Sequence, residues 1–593
     1  MLEKFNPEKA SVDVLLFADS LDSIWYYESN IPGSTIYKKG LGAGFDQMSQ
    51  EDYNEYLAEV EVKSPSDDRA CFYVDQAQYY ASHHTTRTLA TYKLAHEIRK
   101  HGYTVQVVSH FWYHTEEDFK KIIDKFVGDN TLMVGFSTTF HSAYNPYAII
   151  HSLYMPPGRQ RQFKKWIHDN NPNTKLVSGG NPLDVETLLD PKYDGAYHDM
   201  DIINVGYADV TILEILQDMK QGIVWPTYTD KGSRLDIQNS TMSYCKEDAI
   251  QHGDEMPLEL GRGCIFKCNF CNFGLIGKSK GTYTRNHMVI YDELKRNWEE
   301  NGIYKYWILD DTFNEDNDKL EVIAQLKHES NIPLELSAFL RLDLQNRLKQ
   351  EQLLVDCGLF NPQYGIETLN PDSAVAIGKG WHPDEQMEYL WSIKNGVFKN
   401  VQLFSHFIVG LPDDSKESLE EMRRKLLDPK INPLDHLYVN FLYIKDITSG
   451  AWESAGDAHD GGGSAIDKDP ESFGYTFPNS HKNKLQSMAR GSVAKFWRNK
   501  HGISFEGAQR FANKLNHDFN ESRGYRKFQP TSWHKIPKDA KQSQWMLKYW
   551  NNYWTDVMGI SKHSRYNSVQ WINEGEVTEF KPIAEYDWPG GVA

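Results

Sequence analysis

The feature that most limits the possible folds is an alternation of short apolar segments with amphipathic segments of helical periodicity, which begins near Arg69. In the first series, segments such as 88–102 and 116–129 have helical periodicity. Because consecutive parallel strands need a long crossover, usually a helix, the alternation predicts a parallel sheet covered on both faces. The predicted strands of this series are 70–75, 103–109, 131–139, 175–180 and 201–207.

A second series of the same kind begins at residue 257. It contains about six strand–helix units, which is enough for a partial parallel barrel. The predicted strands of this series are 257–263, 304–311, 334–341, 364–367, 401–412 and 435–444.

At 593 residues the chain is too long for a single hydrophobic core, so several domains are expected. We predict an α/β protein in which a Rossmann-like domain precedes a partial (β/α)6 TIM-like barrel and a mainly helical C-terminal domain. The predicted divisions are an N-terminal extension at 1–67, the Rossmann-like domain at 68–220, a connector at 221–256, the barrel at 257–445, and an aromatic-rich, substrate-side helical domain at 446–593.

Charge and composition exclude several classes of function. The formal net charge of −18 argues against a duplex nucleic-acid partner, because such binding depends on cationic contacts with phosphates. The N-terminal residues do not resemble a signal peptide, and no apolar run approaches the length that crosses a bilayer. We therefore expect a soluble, cytoplasmic protein without a membrane partner. The six cysteines are too few for a disulfide framework, and three of them fall within eight positions.

Those three cysteines, Cys264, Cys268 and Cys271, stand in the segment 261–271, which reads GRGCIFKCNFC. Thiolates at this spacing can bind three irons of a cubane cluster and leave the fourth iron open, whereas structural clusters normally use four cysteines. Zinc is an alternative, but a structural zinc site needs a fourth ligand, and none lies at the usual spacing. The remaining alternative is that the three are unrelated buried thiols.

The spacing C-x3-C-x2-C, with Phe270 before the last cysteine and a strand–helix barrel after it, resembles the radical S-adenosylmethionine (radical SAM) superfamily. The resemblance covers about residues 257–445. It implies a [4Fe-4S] cluster whose open iron binds the amino and carboxylate groups of S-adenosylmethionine. One electron then splits this cofactor into methionine and a 5′-deoxyadenosyl radical, which abstracts hydrogen from the substrate.

Further residues at the ends of the barrel strands agree with this resemblance in their order. It implies S-adenosylmethionine contacts at Phe270, Asp310, Asp311, Arg341, Glu367 and Gly410. The acidic pair would accept hydrogen bonds from the ammonium group and Arg341 would meet the carboxylate. Each has a simpler alternative: a helix N-cap for the aspartates, a surface salt bridge for the arginine, and a plain turn for the glycine.

Residues 69–220 resemble the cobalamin-binding domain that precedes the barrel in one branch of this superfamily. The resemblance implies cobalamin contacts at Ser137, Thr138, Thr139, Gly179, Gly180, Asn181, Gly206 and Tyr207. Two features depart from the pattern. The Asp-x-His-x-x-Gly motif is absent, and the usual Gly-x-x-Glu is Gly-Tyr-Ala-Asp, ending at Asp209. The alternative is a Rossmann-like scaffold that has lost its corrinoid.

The resemblance implies a cobalamin-dependent radical SAM enzyme, and we expect a methyltransferase that acts on an unactivated carbon of a small molecule. It also implies an external electron donor such as flavodoxin or ferredoxin. A second hypothesis keeps the radical step but replaces methyl transfer by rearrangement, cyclisation or oxidation, with or without cobalamin. A third is a non-catalytic iron–sulfur or zinc protein. The residues do not identify the substrate, the electron donor or the oligomeric state.

Overall fold

The computed structural model describes two parallel sheets and the helices around them. The described residues are 10–17, 87–108, 116–137, 157–180, 200–230, 234–248, 250, 255–271, 281–444, 464–477, 484–486, 493–495, 497–523, 571–573 and 576–578. None of the helices within these ranges is both long and apolar enough to cross a membrane.

The first sheet has six parallel strands in the order β2-β1-β3-β4-β5-β6. Its strands are β1 (Val14–Phe17), β2 (Val105–Val108), β3 (Met133–Ser137), β4 (Lys175–Gly180), β5 (Ile202–Gly206) and β6 (Thr227–Asp230). Its described helices are α1 (Leu89–Lys100), α2 (Glu116–Phe126), α3 (Pro157–Asn170) and α4 (Thr211–Lys220). These elements confirm the predicted alternation.

The predicted boundaries at 68 and 220 do not enclose this sheet. Strand β1 comes from the predicted N-terminal extension, and it pairs with β2 on one side and β3 on the other. Strand β6 comes from the predicted connector and pairs with β5. All four residues of β1 are buried, as expected of a central strand covered on both faces. The strand predicted at 70–75 lies outside the described residues.

The position of β1 creates a switch point in the strand order. The order 2-1-3-4-5 is that of doubly wound folds in which ligands bind beyond the carboxyl ends of the strands, at the switch between β1 and β3. In this chain the switch lies between Phe17 and Ser137, the last residues of those two strands. The strand order thus supports a binding site at this edge.

The second sheet also has six parallel strands, but in sequential order from β7 to β12. The strands are β7 (Glu255–Leu258), β8 (Lys305–Ile308), β9 (Glu335–Leu340), β10 (Leu359–Glu367), β11 (Phe404–Val409) and β12 (His436–Phe441). Sequential parallel order with helical crossovers is the topology of a barrel. Within the described ranges β7 and β12 each pair on one side, so the barrel is partial, as predicted.

Helices connect these strands, and local signals fix several of their ends. The described helices are α5 (His287–Asn301), α6 (Asn317–Ser330), α7 (Leu342–Leu348), α8 (Glu351–Asp356), α9 (Pro371–Ala376), α10 (Pro383–Asn395) and α11 (Lys416–Leu427). The side chain of Asp316 caps α6 by accepting from the amide of Lys319 at 3.0 Å. Gly302 ends α5 in the left-handed conformation at φ +65°.

The described part of the C-terminal region covers the open edge of the barrel. It contains α12 (Ala465–Lys468), α13 (Phe505–Ser522) and two short antiparallel pairs, so its described part is less helical than predicted. The amide side chain of Asn516 on α13 exchanges hydrogen bonds with the backbone of Val439 on β12, at 2.8 and 2.9 Å. This amide occupies the place of a neighbouring strand, which protects an edge that would otherwise invite aggregation.

Candidate functional site

The three cysteines lie on one loop that follows β7, which we call the cysteine loop (residues 259–271). Gly263 turns the chain in the left-handed conformation at φ +100°, just before Cys264. The amide of Cys271 donates to the carbonyl of Cys268 at 3.0 Å, so the last two cysteines share one tight turn. The sequence and this geometry agree that the three thiols belong to a single short loop.

Neighbouring segments fix the far end of the cysteine loop through Asn269. Its side-chain amide donates to the carbonyl of Ala376 at 2.8 Å, and its backbone amide donates to Ile377 at 3.1 Å. Its own carbonyl accepts from the amide of Ile466 at 2.9 Å. The loop is therefore held both by the helix after β10 and by the C-terminal region.

Polar groups from the next two strand ends contact the thiols. The hydroxyl of Thr312 lies 3.2 Å from the sulfur of Cys264, and Arg341 donates to the sulfur of Cys268 at 3.5 Å. The Arg341 guanidinium also lies 3.9 Å from the centre of the Phe266 ring. Burial raises the pKa of the Cys264 thiol. Hydrogen-bond donors beside sulfur are one means by which proteins adjust an iron–sulfur site.

Thiolates are the ligands of both iron–sulfur clusters and structural zinc sites, so the donor set of this loop fits a cubane cluster. Within the described ranges, no three His, Cys, Asp or Glu side chains are grouped so that they could hold one ion. The zinc alternative would need four such ligands around one centre. Each thiolate of a cubane instead binds a different iron, so its three sulfurs need not converge on one point.

Asp310 is engaged with the backbone of the cysteine loop and with Lys319. One carboxylate oxygen accepts from the amides of Leu260 and Gly261, at 2.8 and 3.0 Å, and the other lies 3.5 Å from the Lys319 ammonium. Burial raises the pKa of this carboxyl to about 7. Asp310 therefore supports the start of the cysteine loop, and the contacts of Asp310 and Asp311 with an ammonium group stay predictions.

Arg341 lies at the end of β9, as predicted, and forms a bidentate ion pair with Asp343 at 3.0 Å for both contacts. Its side chain is 12% exposed, so this is a half-buried pair rather than the surface salt bridge considered from the sequence. Its contacts with Cys268 and Phe266 place a fixed positive charge beside the cysteine loop. A contact of Arg341 with a cofactor carboxylate stays a prediction.

Glu367 ends β10 with an unusual backbone. It is buried and has φ +73°, a conformation that side-chain-bearing residues rarely adopt and that is frequent at functional sites. Its carboxylate lies 3.6 Å from the ammonium of Lys379, which donates to the carbonyl of Gly365 at 2.7 Å. A Cβ at position 365 would overlap the Glu367 carboxylate, so that carboxylate would have to move. Burial raises the pKa of Glu367.

Gly410 ends β11 beneath a tryptophan from the C-terminal region. It has φ +85°, and an added Cβ would overlap the ring of Trp497. Its amide donates to Asp414 at 2.9 Å, and its carbonyl accepts from the hydroxyl of Tyr475 at 2.8 Å. Both backbone groups are thus engaged within the protein. A contact of this segment with adenine stays a prediction.

Asp414, Trp497, Tyr475 and Lys379 were missed from the sequence. Lys379, Tyr475 and Trp497 come from other segments of the chain than the strand ends that they contact, so no spacing rule indicates these contacts, whereas Asp414 closely follows Gly410. A Gly-Leu-Pro segment followed by an aspartate two residues later was the only local signal, and it also suits an ordinary turn.

The last two barrel strands present rings on the face opposite the packed core. Phe407 and Val409 of β11 and Leu437 and Val439 of β12 belong to the hydrophobic core, so the alternate residues face the barrel interior. The rings there are Phe404, His406, His436 and Tyr438. The centre of the His406 ring lies 4.6 Å from that of Phe404 and 6.2 Å from that of Tyr438.

One amide lies among these rings. The side-chain carbonyl of Gln363 on β10 lies 3.0 Å from Nε2 of His406, and its amide nitrogen is buried with no hydrogen-bond partner among the described residues. Burial lowers the pKa of His406 to about 4, so this imidazole is neutral near pH 7. The wall therefore combines aromatic faces with a buried donor, which is a common composition for a ligand pocket.

The carboxyl edge of the first sheet carries small side chains at neighbouring strand ends. Ser137, Gly180 and Gly206 end β3, β4 and β5, and an added Cβ at Gly179 would lie 3.1 Å from Asn204. The buried hydroxyl of Ser178 has no hydrogen-bond partner among the described residues. Thr138, Thr139 and Asn181 lie outside the described residues.

The two carboxyl edges meet at the cysteine loop. Arg262 donates to both carboxylate oxygens of Asp209, at 2.9 and 2.8 Å, and its guanidinium lies 5.1 Å from the centre of the Tyr207 ring. Tyr207 and Asp209 directly follow β5, whereas Arg262 precedes Cys264 by two residues. The strand ends predicted to hold a corrinoid thus adjoin the loop predicted to hold a cluster.

Comparison with known proteins gives one family match. The model of the radical SAM superfamily matches residues 258–426, which span β7 to α11. A search of the curated proteins found no match.

Three similar solved structures are described here. One is the radical S-adenosylmethionine methyltransferase TsrM from Kitasatospora setae with cobalamin and [4Fe-4S] cluster bound, at 12% identity and TM-score 0.48, over 94% of this chain and 98% of that chain. The cobalamin-dependent S-adenosylmethionine radical enzyme OxsB has 12% identity and TM-score 0.44, and the match covers 78% of this chain and 56% of OxsB. Coproporphyrinogen III oxidase (HemN) from Escherichia coli has 13% identity and TM-score 0.25, over 42% and 66%.

Proposed function

Since residues 258–426 form a radical SAM domain, we propose that this chain is a cobalamin-dependent radical SAM enzyme that methylates an unactivated carbon of a small molecule. The observation that carries the proposal is the contact between Arg262 and the end of β5, at Tyr207 and Asp209. It joins the small-residue edge of the first sheet to the cysteine loop. Two cofactors that act in one reaction need such neighbouring sites.

Cys264, Cys268 and Cys271 would hold the cluster, and Thr312 and Arg341 would donate to its sulfur ligands. When bound, the cluster supplies the electron that splits S-adenosylmethionine. Arg341 offers the carboxylate of that cofactor a guanidinium already oriented by Asp343. Asp311 and Glu367 offer oxygen acceptors for its ammonium group, while Phe270 and Gly410 would flank the rest of it.

The first sheet would hold the corrinoid along the carboxyl ends of β3, β4 and β5. Its switch point, small side chains and unsatisfied Ser178 hydroxyl fit a large ligand at this edge. Ser137, Gly179, Gly180, Gly206 and Tyr207 are the described residues expected at that contact, with Thr138, Thr139 and Asn181 beyond them in the chain. The corrinoid would carry the methyl group.

The aromatic wall of β11 and β12 is the proposed substrate side of the barrel. Its rings and the buried amide of Gln363 favour an uncharged group with a hydrogen-bond acceptor. The charged side chains at the nearby strand ends, Arg341 and Glu367, each have an opposite charge close by. The wall would therefore orient a neutral part of the substrate and exclude water from it.

The decisive experiment is anaerobic purification and reconstitution of the full chain, with iron, sulfide and corrinoid assayed by absorbance and mass spectrometry. The triple variant Cys264→Ala/Cys268→Ala/Cys271→Ala should lose the cluster absorbance and form no 5′-deoxyadenosine. Cys245→Ala is the matched control, because this half-buried thiol lies outside the loop and should leave both signals intact. A triple variant that still makes 5′-deoxyadenosine contradicts the proposal.

The products separate methyl transfer from other radical chemistry. Methyl transfer by two molecules of S-adenosylmethionine yields S-adenosylhomocysteine together with 5′-deoxyadenosine. A rearrangement, cyclisation or oxidation yields the second product without the first. Formation of 5′-deoxyadenosine alone in the presence of substrate would therefore remove the methyltransferase part of the proposal and keep the radical part.

A further inference from the structure

Four oppositely charged side chains form an ion network at the junction of the two sheets. Lys93 lies on α1, Asp209 follows β5, and Glu259 and Arg262 begin the cysteine loop. Arg262 binds Asp209 through two hydrogen bonds and Glu259 at 2.6 Å. Lys93 contacts Glu259 directly and lies 3.8 Å from Asp209. Two residues of the first domain thus pair with two residues of the loop.

The network is neutral and almost dry. Its side chains are between 5% and 11% exposed, and it contains two positive and two negative charges. Although burial opposes ionisation, Arg262 and Lys93 hold the pKa of Asp209 below its ordinary value. Loss of one member of such a network leaves an uncompensated buried charge, which is strongly destabilising. Each member is therefore held in place by the two members of opposite charge.

The network acts where the cysteine loop begins, two residues before Cys264. Between Arg262 and Cys264 stands only Gly263, whose backbone is in the left-handed region and which has no side chain to pack. The backbone amide of Arg262 donates to Tyr283 at 2.8 Å, and its side chain is tied to Asp209 and Glu259. The direction in which the chain enters Cys264 therefore depends on the ties of Arg262.

We propose that Asp209 and Lys93, although they belong to the first domain, are positioning residues for the cysteine loop and so determine the surroundings of the cluster. The inference rests on the proposed function, because it assigns these residues a role toward a cluster. If Asp209 and Lys93 have this role, the first domain contributes to the cluster site whether or not a corrinoid is bound. The Arg262 guanidinium also lies over the ring of Tyr207, which is one of the residues predicted to contact the corrinoid.

The test uses the full chain reconstituted anaerobically with iron and sulfide, without substrate. Asp209→Asn removes one negative charge at nearly constant shape. We expect a changed electron paramagnetic resonance spectrum of the reduced cluster and a midpoint potential shifted upward, because a negative charge near the cluster is lost. Asp209→Glu restores the charge and should return the spectrum towards that of the unaltered protein.

Asp248→Asn is the matched control. Asp248 is also buried and receives a bidentate contact from α1, from Arg99 at 2.9 and 2.7 Å, but it lies in the segment before β7 and does not touch the cysteine loop. Both variants should lower the unfolding temperature. Only Asp209→Asn should change the spectrum, and equal spectral changes in both would overturn the inference.

A charge-balanced variant covers the case in which Asp209→Asn does not fold. Lys93→Met/Asp209→Asn leaves Arg262 and Glu259 as one neutral pair, so its stability should recover in part. The loop has still lost both ties to the first domain, and the altered spectrum should persist. A spectrum identical to that of the unaltered protein in this variant contradicts the positioning role. Absence of any cluster in the unaltered protein would instead contradict the proposed function itself.

Discussion

The two sheets have the same number of parallel strands, yet they differ in strand order and in the residues at their carboxyl edges. In the first sheet the strand order reverses at β1 while all strands stay parallel. Small residues such as Ser137, Gly180 and Gly206 end its strands. The second sheet runs in sequence, and its strand ends carry charges such as Arg341 and Glu367. The named strand ends of the first edge therefore carry small uncharged residues, whereas those of the second carry paired charges.

Glycines with the same backbone conformation are packed differently in the two domains. Described neighbours of the second edge close tightly on it, as Trp497 does above Gly410 and Lys379 does beside Glu367. In the first domain, a glycine in the same backbone conformation, Gly102 at φ +83°, has no atom within 4 Å of an added Cβ. Both positions need glycine for their left-handed backbone, but only at Gly410 would a side chain also collide with a neighbouring residue.

The largest effect is expected from Gly410→Ala, with Gly102→Ala as its counterpart in the first domain. Both replacements force a Cβ into the left-handed region, at about 1–2 kcal/mol. Only position 410 adds an overlap with Trp497, which costs roughly 1–3 kcal/mol more. Urea unfolding of both variants should show that Gly410→Ala lowers the free energy of unfolding more than Gly102→Ala does, by about that amount. Equal losses would contradict the packing difference.

The next prediction concerns the carboxyl of Asp414, whose pKa burial raises to about 6, whereas the pKa of Asp209 at the first edge is held low. Below about pH 4 Asp414 is protonated in both folded and unfolded chains. As pH rises towards 6 the unfolded chain ionises first, so the free energy of unfolding falls, by up to about 3 kcal/mol. Well above pH 6 the carboxyl is ionised in both states, so its contribution to the free energy of unfolding no longer changes with pH.

Asp414→Asn keeps an oxygen that can accept from the amides of Gly410 and Leu411. The variant should therefore lack this part of the pH dependence. Unfolding free energies of the cluster-free proteins between pH 4 and 7 would measure it. Parallel curves for the variant and the unaltered protein would show that Asp414 does not titrate with a raised pKa.

The smallest effect is expected from Ser137→Phe, which adds bulk at the first edge only. We expect corrinoid affinity to fall by roughly tenfold or more, about 1.4 kcal/mol, with iron and sulfide content unchanged. Ser137→Ala is the control, because it keeps the edge small. Equilibrium dialysis against cobalamin measures the affinity, and iron analysis of the same samples measures the cluster. Equal loss of iron would mean that the two edges are not separate sites.

The sequence predicted the elements of both sheets well where local signals decide. The helix α1 and the strand β10 follow from hydrophobic periodicity, which is a local property. The cysteine loop was predicted because its three thiols lie within eight residues. A ligand contact of Asp310 stays a prediction, since an acidic residue at a strand end can serve a ligand or a backbone amide, and the folded loop shows only its bonds to backbone amides.

The membership of β1 in the first sheet could not be read from periodicity. Its apolar residues predict a buried strand, but a strand pairs across long stretches of chain, and Val14 meets Val105 and Met133. The same holds for Trp497 above Gly410 and for Arg262 with Asp209. These contacts join residues that no sequence spacing relates.

By itself the sequence determined most helices and strands of the two sheets, their parallel arrangement and the loop that carries the three cysteines, because periodicity and short spacing act between near neighbours in the chain. The tertiary structure decided the placement of β1, the left-handed backbone of Glu367 and the ion network between Lys93, Asp209, Glu259 and Arg262. Buried charges and close packing depend on which distant segments meet. Only the folded chain brings those segments together.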